Sequence, residues 1–198
     1  MDAAADFGTY VAVHVFTPRG ANRAIDAGVK VIEHGQLLDE KTLKRMADEG
    51  VWLSTQPFTT CHEPQLDEVS NAKLAIVCQG TEFVYKTIKK YPKLKVTYGT
   101  DIFNDPDNIE NQVKWLARLS EWHSPGELLI MATGNAGELL KLSGIRNPYP
   151  GDLGIVKEGA FADLLIVEGN PLEDIKVVGE LENLRVIMKD GKIHKNTL

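Results

Sequence analysis

The sequence lacks the cysteine patterns of secreted and metal-cluster proteins and the long apolar runs of membrane proteins. Only two of its 198 residues are cysteine, which is too few for a disulfide framework and lacks the close spacing of a zinc or redox pair. No apolar run approaches the roughly 20 residues of a membrane span, and the N-terminus has neither the basic residues nor the apolar run of a signal peptide. We therefore expect a cytoplasmic protein in which Cys61 and Cys78 are reduced structural thiols.

Positive charge is also scarce. The chain has 22 Lys and Arg against 28 Asp and Glu, a formal net charge of -6. Such a chain gains little electrostatic attraction from a phosphate backbone or an anionic membrane surface. We expect no nucleic-acid partner and no membrane partner, and we favour a small-molecule or dipeptide substrate.

The stretch from residue 11 to residue 35 predicts a strand, a helix and a second strand. Two short runs rich in β-branched residues end in His14 and His34. Pro18 suits the first turn of the helix between them, and Gly28 suits its end. Strands joined by so short a crossover helix are parallel. Both histidines should therefore emerge at the same edge of the sheet.

The alternation of strands and helices continues along the chain. We predict helices at 38–49, 69–78, 81–90 and 109–121, and strands at 51–55 and 94–101. The loop at 56–67 is longer than a connector needs, so we expect it to shape a site. Within it, Gln56 and His62 are candidates for contact with a substrate, although an exposed loop position without such a contact is the better explanation of His62.

The pattern changes after residue 146. Asn147-Pro148-Tyr149-Pro150-Gly151 is rich in helix breakers. Short strands are predicted beyond it, at 154–156, 162–168, 177–178, 184–189 and 192–194. We place a domain boundary here, with an α/β domain at 1–146 and a small β segment at 147–198. So small a segment must pack on the first domain or gain strands from elsewhere.

Three polar side chains end predicted strands: His14, His34 and Asp101. Two imidazoles and a carboxylate suffice to hold a divalent metal with a position left for water. Zinc is favoured, and iron, manganese or cobalt would also accept this set. Asp101 is also placed to move a proton between the water and a leaving nitrogen. The structural alternative is that the histidines only form hydrogen bonds and that Asp101 only belongs to a turn.

At these residues the sequence resembles the metal-dependent amidohydrolase superfamily, in the branch of imidazolonepropionase-like enzymes and Xaa-Pro dipeptidases (prolidases). Residues 11–58 resemble the fifth, sixth and seventh strands of that family's barrel, and VTYGTD at 96–101 resembles the eighth. Two later stretches resemble the helix before the C-terminal β segment and the return into the family's β-sandwich: IMATGNAGELLKL and LGIVKEGAFADLLIVEGNPLEDI.

The resemblance implies the C-terminal half of a TIM (β/α)8 barrel, strands 5–8, followed by a partial β-sandwich. It implies that His14 and His34 are metal ligands and that Asp101 binds metal and shuttles protons. The family's first-strand His-x-His pair and fourth-strand bridging ligand have no counterpart in this sequence. An open half-barrel exposes strand edges, so we expect a homo-oligomer or pairing with a separate N-terminal half.

The leading functional hypothesis is a metal-dependent hydrolase of amide or other C–N bonds in a dipeptide or cyclic amide. The site would be incomplete in this chain alone. The alternative is a non-catalytic fragment or remnant of an amidohydrolase with a binding or structural role. A 2-His-1-carboxylate iron oxygenase fits the ligands but does not fit the alternation of strands and helices.

Overall fold

The computed structural model describes residues 1–102 and 106–198. The chain separates into two compact units, Met1–Thr97 and Tyr98–Leu198. Both contain helices and strands, which confirms the predicted α/β class. The predicted boundary after residue 146 lies inside the second unit and stays a prediction, as does the assignment of the strands to barrel strands 5–8.

The first unit is built on a sheet with the strand order β1-β2-β3-β4. β1 pairs with β2, and β2 with β3, in parallel as expected. β4 lies beside β3, where the backbone N–H of Leu53 donates to the carbonyl of Lys95 at 2.9 Å. The strands are β1 (Ala12–Val15), β2 (Val31–His34), β3 (Trp52–Thr55) and β4 (Val96–Tyr98).

Helices connect these strands and begin at side chains that cap them. The Thr17 hydroxyl accepts the N–H of Gly20 at 3.4 Å, and the Asp39 carboxylate accepts the N–H of Thr42 at 2.8 Å. Gly50 ends a helix at φ +70°, a left-handed conformation that glycine adopts at little cost. The helices are α1 (Asp2–Asp6), α2 (Pro18–Asp26), α3 (Glu40–Glu49) and α4 (Glu68–Ile88).

α4 is one continuous helix of 21 residues, so the prediction of two helices at 69–78 and 81–90 was wrong. Gly80, between the two predicted stretches, is helical. A Cβ at this position would collide with the carbonyl oxygen of Gln36. Glycine therefore lets α4 approach the sheet closely without ending the helix. No helix in the described part of the chain is long and apolar enough to cross a membrane.

The core of the first unit lies on both faces of β2 and β3. All four residues of β3 are buried, and three of the four in β2 are buried. In β1, by contrast, exposed and half-buried residues alternate, because it is an edge strand. Side chains of α3 and α4 complete this core, among them Leu43, Met46, Val84 and Tyr85.

Cys61 and Cys78 form a disulfide, which corrects the prediction of two reduced thiols. Their Cα atoms are 5.1 Å apart, within the usual range for a bridge. Cys61 lies in the loop after β3, and Cys78 lies in α4. The sequence separation of 17 residues matches no spacing motif, so only the tertiary structure reveals the pair.

The second unit begins with 3₁₀ turns where an α-helix at 109–121 was predicted. The 3₁₀ helices span Pro106–Asn111 and Lys114–Glu121. Two α-helices follow, α5 (Pro125–Ala132) and α6 (Gly134–Leu140), and a third 3₁₀ helix spans Lys141–Arg146. At the start of α5, Ser124 and Glu127 form a reciprocal capping box.

The unit ends in an antiparallel sheet with the order β5-β6-β7. The predicted strand at 154–156 is irregular, and the one predicted at 177–178 is part of a 3₁₀ helix. In that helix the buried pair is Ile175 and Val178, three residues apart, which is the repeat of a 3₁₀ turn rather than a strand. The strands are β5 (Leu164–Val167), β6 (Leu184–Lys189) and β7 (Lys192–Asn196).

We predict that Gly80→Ala destabilises the protein, although glycine to alanine inside an ordinary helix stabilises by roughly 0.5–1 kcal/mol. The new Cβ would meet the Gln36 carbonyl oxygen, and overpacking of this kind costs about 1–3 kcal/mol. Urea unfolding measures the difference. Gln79→Ala, at the exposed neighbouring position, is the matched control and should change stability by less than about 0.5 kcal/mol. A stabilised Gly80→Ala variant would contradict the close packing of α4.

Candidate functional site

The two strand-end histidines lie side by side. In the parallel register of β1 and β2, Val15 is opposite His34 and His14 is opposite Glu33. The two imidazole ring centroids are 4.3 Å apart, with an interplanar angle of 77°. His34 is buried, with 5% of its surface exposed, whereas His14 is exposed. The structure thus brings together two of the three residues predicted as ligands.

Two phenylalanines complete an aromatic cluster with these histidines. Phe16 stacks on His34 with ring centroids 4.7 Å apart and contacts His14 edge to face at 5.1 Å. Phe58 stacks near His34 with centroids 5.9 Å apart and planes 18° from parallel. The strand period of two places Phe16 on the side of His14, so the sequence held a signal for it. Phe58 lies in the loop after β3, where no periodicity applies.

The backbone at His34 adopts a conformation that non-glycine residues rarely use. Its φ is +77°, and Gly35 follows at φ +70°. A Cβ on Gly35 would stand 2.7 Å from a methyl of Leu53 and 3.0 Å from one of Leu38, so glycine is needed there. Strained φ values of this kind gather at functional sites, which favours His34 as a site residue.

Buried polar groups lie next to His34 at the ends of β2 and β3. The Tyr85 hydroxyl donates to the carbonyl oxygen of Gln56 at 2.7 Å and is 2.8 Å from the hydroxyl of Thr55. The Gln36 amide donates to the same carbonyl at 3.3 Å. Burial raises the pKa of Tyr85, and its hydrogen bond with Thr55 lowers it by less, so the phenol stays protonated as a donor.

The remaining predicted site residues are Asp101, His62 and Gln56. Asp101 belongs to the second unit, follows β4, is exposed and has φ +57°. His62 is exposed in the loop after β3, and Gln56 is buried at the start of that loop. In residues 1–102 and 106–198, no three His, Cys, Asp or Glu side chains form a group that could hold a metal ion. The ligand set of His14, His34 and Asp101 stays a prediction.

The two imidazoles fit a divalent metal as partial ligands. Zinc binds imidazole nitrogen at about 2.0–2.1 Å, and the centroids of these two imidazole rings are 4.3 Å apart. Imidazole nitrogen also binds iron, manganese and cobalt. The pair supplies fewer protein ligands than the three of a typical catalytic zinc site, so a complete site needs at least one more group.

Comparison with known proteins assigns the chain to a family. The model of the amidohydrolase family matches residues 1–194, nearly the whole sequence. The chain belongs to the amidohydrolase family. The resemblance seen in the sequence is thereby confirmed, and so is its prolidase-like character, because solved prolidases are among the structures it matches.

Several known proteins are similar to this chain over almost all of its residues. The ochratoxinase of Aspergillus niger is 30% identical over 201 residues, which cover 98% of this chain and 40% of that protein. A prolidase solved in complex with N-methylphosphonate-L-proline is 30% identical with a TM-score of 0.84 and is 47% covered. A Xaa-Pro dipeptidase with methionine bound in its active site is 26% identical with a TM-score of 0.79 and is also 47% covered.

The chain thus spans less than half the length of these relatives. Over that length its α/β fold matches theirs, as the sequence predicted.

We predict that His34→Ala costs far more stability than His14→Ala. The His34 ring is buried among aromatic rings, and truncating a buried aromatic side chain costs about 3 kcal/mol or more. Alanine would also keep the strain of φ +77°. His14→Ala removes an exposed ring and should lower the free energy of unfolding by less than about 1 kcal/mol. Urea unfolding of both variants and the parent measures this, and equal losses would contradict the placement of the two rings.

Proposed function

We propose that this chain carries part of the active site of a hydrolase that cleaves an amide or other C–N bond in a dipeptide or cyclic amide. The observation that carries the proposal is the pair of imidazole rings of His14 and His34, 4.3 Å apart at the carboxyl edge of the sheet. This pair lies within the region matched by the amidohydrolase family and by prolidases.

In this proposal, His14 and His34 would hold a divalent metal, with zinc as the first choice. A bound metal of this kind polarises a carbonyl oxygen and lowers the pKa of a water molecule toward neutrality. A carboxylate oxygen of Asp101 takes a proton from the attacking water and returns it to the leaving nitrogen. The stacked rings of Phe16 and His34 exclude water from one side of the imidazole pair.

We also propose that the loop after β3 contacts the substrate. Phe58 approaches His34 from this loop, and the exposed side chain of His62 lies four residues farther along. The side chain of Gln56 is buried at the start of the loop, so its contribution would be to hold the loop backbone. Dipeptides that end in proline are the first substrates to test, because the prolidase relative binds a proline-containing phosphonate.

We predict divalent-metal binding that depends on both histidines. The metal-free chain is titrated with Zn²⁺, Mn²⁺ and Co²⁺ by calorimetry, and hydrolysis of Xaa-Pro dipeptides is followed with each ion. Replacing one of two imidazole ligands should weaken metal binding by about 10-fold or more. Asp101→Asn should lower hydrolysis by about 100-fold or more, as loss of a general base does. His194→Ala, at an exposed histidine of the second unit, is the matched control.

The same assays are repeated with the complementary N-terminal half of a prolidase added. Metal binding that appears in the parent but not in His14→Ala or His34→Asn supports the proposed ligands. Absence of metal binding and of hydrolysis in both settings would contradict them. That result would favour the alternative, a non-catalytic fragment or remnant with a binding or structural role.

We propose further that the chain forms a homo-oligomer or pairs with a separate N-terminal half. β1 is an edge strand. β5 is an edge strand of the second sheet, and its Leu164, Leu165 and Ile166 are 36%, 52% and 48% exposed. Exposed apolar edges of this kind pair with other strands. Nucleic acid and membranes remain unsuited partners for a chain of net charge -6.

We predict that light scattering at micromolar concentration gives a mass above that of one chain, 21.9 kDa. Leu165→Lys places a charge on the exposed edge and should lower the measured mass if this edge mediates association. Lys192→Glu, on the other edge strand of the same sheet, controls for the effect of a charge change alone. A monomer that binds no dye specific for exposed apolar surface would contradict the proposal.

A further inference from the structure

One face of α4 carries four side chains that bind the loop between β3 and α4, residues 56–67. They stand at positions 71, 78, 81 and 85, so the steps between them are 7, 3 and 4 residues. These steps place side chains on one side of a helix. We call this set the α4 stripe. Its members are Asn71, Cys78, Thr81 and Tyr85.

Two members of the stripe hold the start of the loop. The Tyr85 hydroxyl donates to the carbonyl oxygen of Gln56 at 2.7 Å, and the Thr81 hydroxyl donates to the carbonyl oxygen of Phe58 at 3.0 Å. Both hydroxyl donors are on buried residues. The backbone on either side of Pro57 is therefore attached to α4 at two consecutive points.

The other two members hold the rest of the loop. The Asn71 amide nitrogen donates to the carbonyl oxygens of Glu63 and Leu66, each at 3.0 Å, and its oxygen accepts the N–H of Glu63 at 2.8 Å. Between these two groups of hydrogen bonds, Cys78 is joined to Cys61 by the disulfide. The loop is thus attached to one face of α4 by several hydrogen bonds and, between them, by one covalent bond, the disulfide.

The part of the loop nearest the candidate site is Phe58. Its ring stacks near that of His34, with centroids 5.9 Å apart. Its carbonyl oxygen is the acceptor for Thr81, and Cys61 lies only three residues farther along the chain. The position of the Phe58 ring therefore depends on how firmly the loop is attached to the α4 stripe.

We propose that the α4 stripe positions Phe58 as a cover over His34, and that reduction of the Cys61–Cys78 disulfide loosens this cover. Cys61 is exposed, so a reductant can reach the bond. A dithiol reduces it: the S–S bond breaks, two electrons and two protons pass to the cysteine sulfurs, and the dithiol becomes a cyclic disulfide. The loop then keeps only its hydrogen bonds, and Phe58 separates from His34 more often.

Hydrogen exchange and histidine modification test the proposal on the metal-free full-length chain. The oxidised chain and the chain reduced with dithiothreitol are compared by mass spectrometry. Reduction should increase backbone exchange at 57–66 by about 10-fold or more, as expected when a local opening becomes easier. It should also speed modification of His34 by diethyl pyrocarbonate several-fold. His194, exposed in the second unit, is the internal control and should react at an unchanged rate.

Variants separate the disulfide from the hydrogen bonds. The double variant Cys61→Ser, Cys78→Ser should behave like the reduced chain and should not respond to dithiothreitol. Thr81→Val removes the donor to Phe58 and should raise His34 modification in the oxidised chain as well. Thr81→Ser keeps the hydroxyl and should restore the parent rate.

Three results would overturn the proposal. The first is the detection of two free thiols in the chain before dithiothreitol is added. The second is an unchanged rate of His34 modification after reduction. The third is a rise in hydrogen exchange throughout Met1–Thr97 instead of in the loop alone. The last result would mean that the disulfide maintains the whole unit. These readouts do not depend on the proposed hydrolase activity, so the two proposals can fail separately.

Discussion

Parallel pairing of β1 and β2 is the constraint on which the candidate site depends. It places Val15 opposite His34, and strands that point the same way must end at the same edge. Two imidazole rings that are 20 residues apart in sequence thereby come within 4.3 Å. A shift of one residue in this register would turn one ring to the other face of the sheet. Burial of β2 and β3 on both faces opposes such a shift.

The same burial leaves backbone carbonyl groups that need hydrogen-bond donors, and α4 supplies one. β3 ends in buried polar residues, and buried carbonyl groups need donors. Tyr85 supplies a hydroxyl to the Gln56 carbonyl from α4, and Gly80 allows the helix to approach closely enough to do so. The contacts that pack α4 on the sheet therefore also hold the loop in place. A substitution in α4 that lowers stability will therefore also affect the loop beside His34.

The parts of this arrangement that follow from local patterns could be predicted from the sequence. β-branched runs ending in His14 and His34 indicated strands, and the short crossover implied that the rings share an edge. The continuity of α4 could not be predicted, because glycine is unfavourable inside a helix and the packing reason for Gly80 is its close approach to the carbonyl of Gln36, which is distant in sequence. Pairing of Cys61 with Cys78 likewise depends on where a long loop packs, which no local pattern encodes.

Backbone conformation adds evidence that the sequence alone could not supply. Among the described residues, three non-glycine residues have positive φ: His34, Asp101 and Asp190. Asp190 precedes Gly191 in the turn between β6 and β7, where such values are ordinary. The other two are His34, the last residue of β2, and Asp101, three residues after β4, and both were predicted as ligands from their chemistry. Because aspartate adopts positive φ at little cost, the observation carries weight at His34, where positive φ destabilises the folded state and favours a functional requirement.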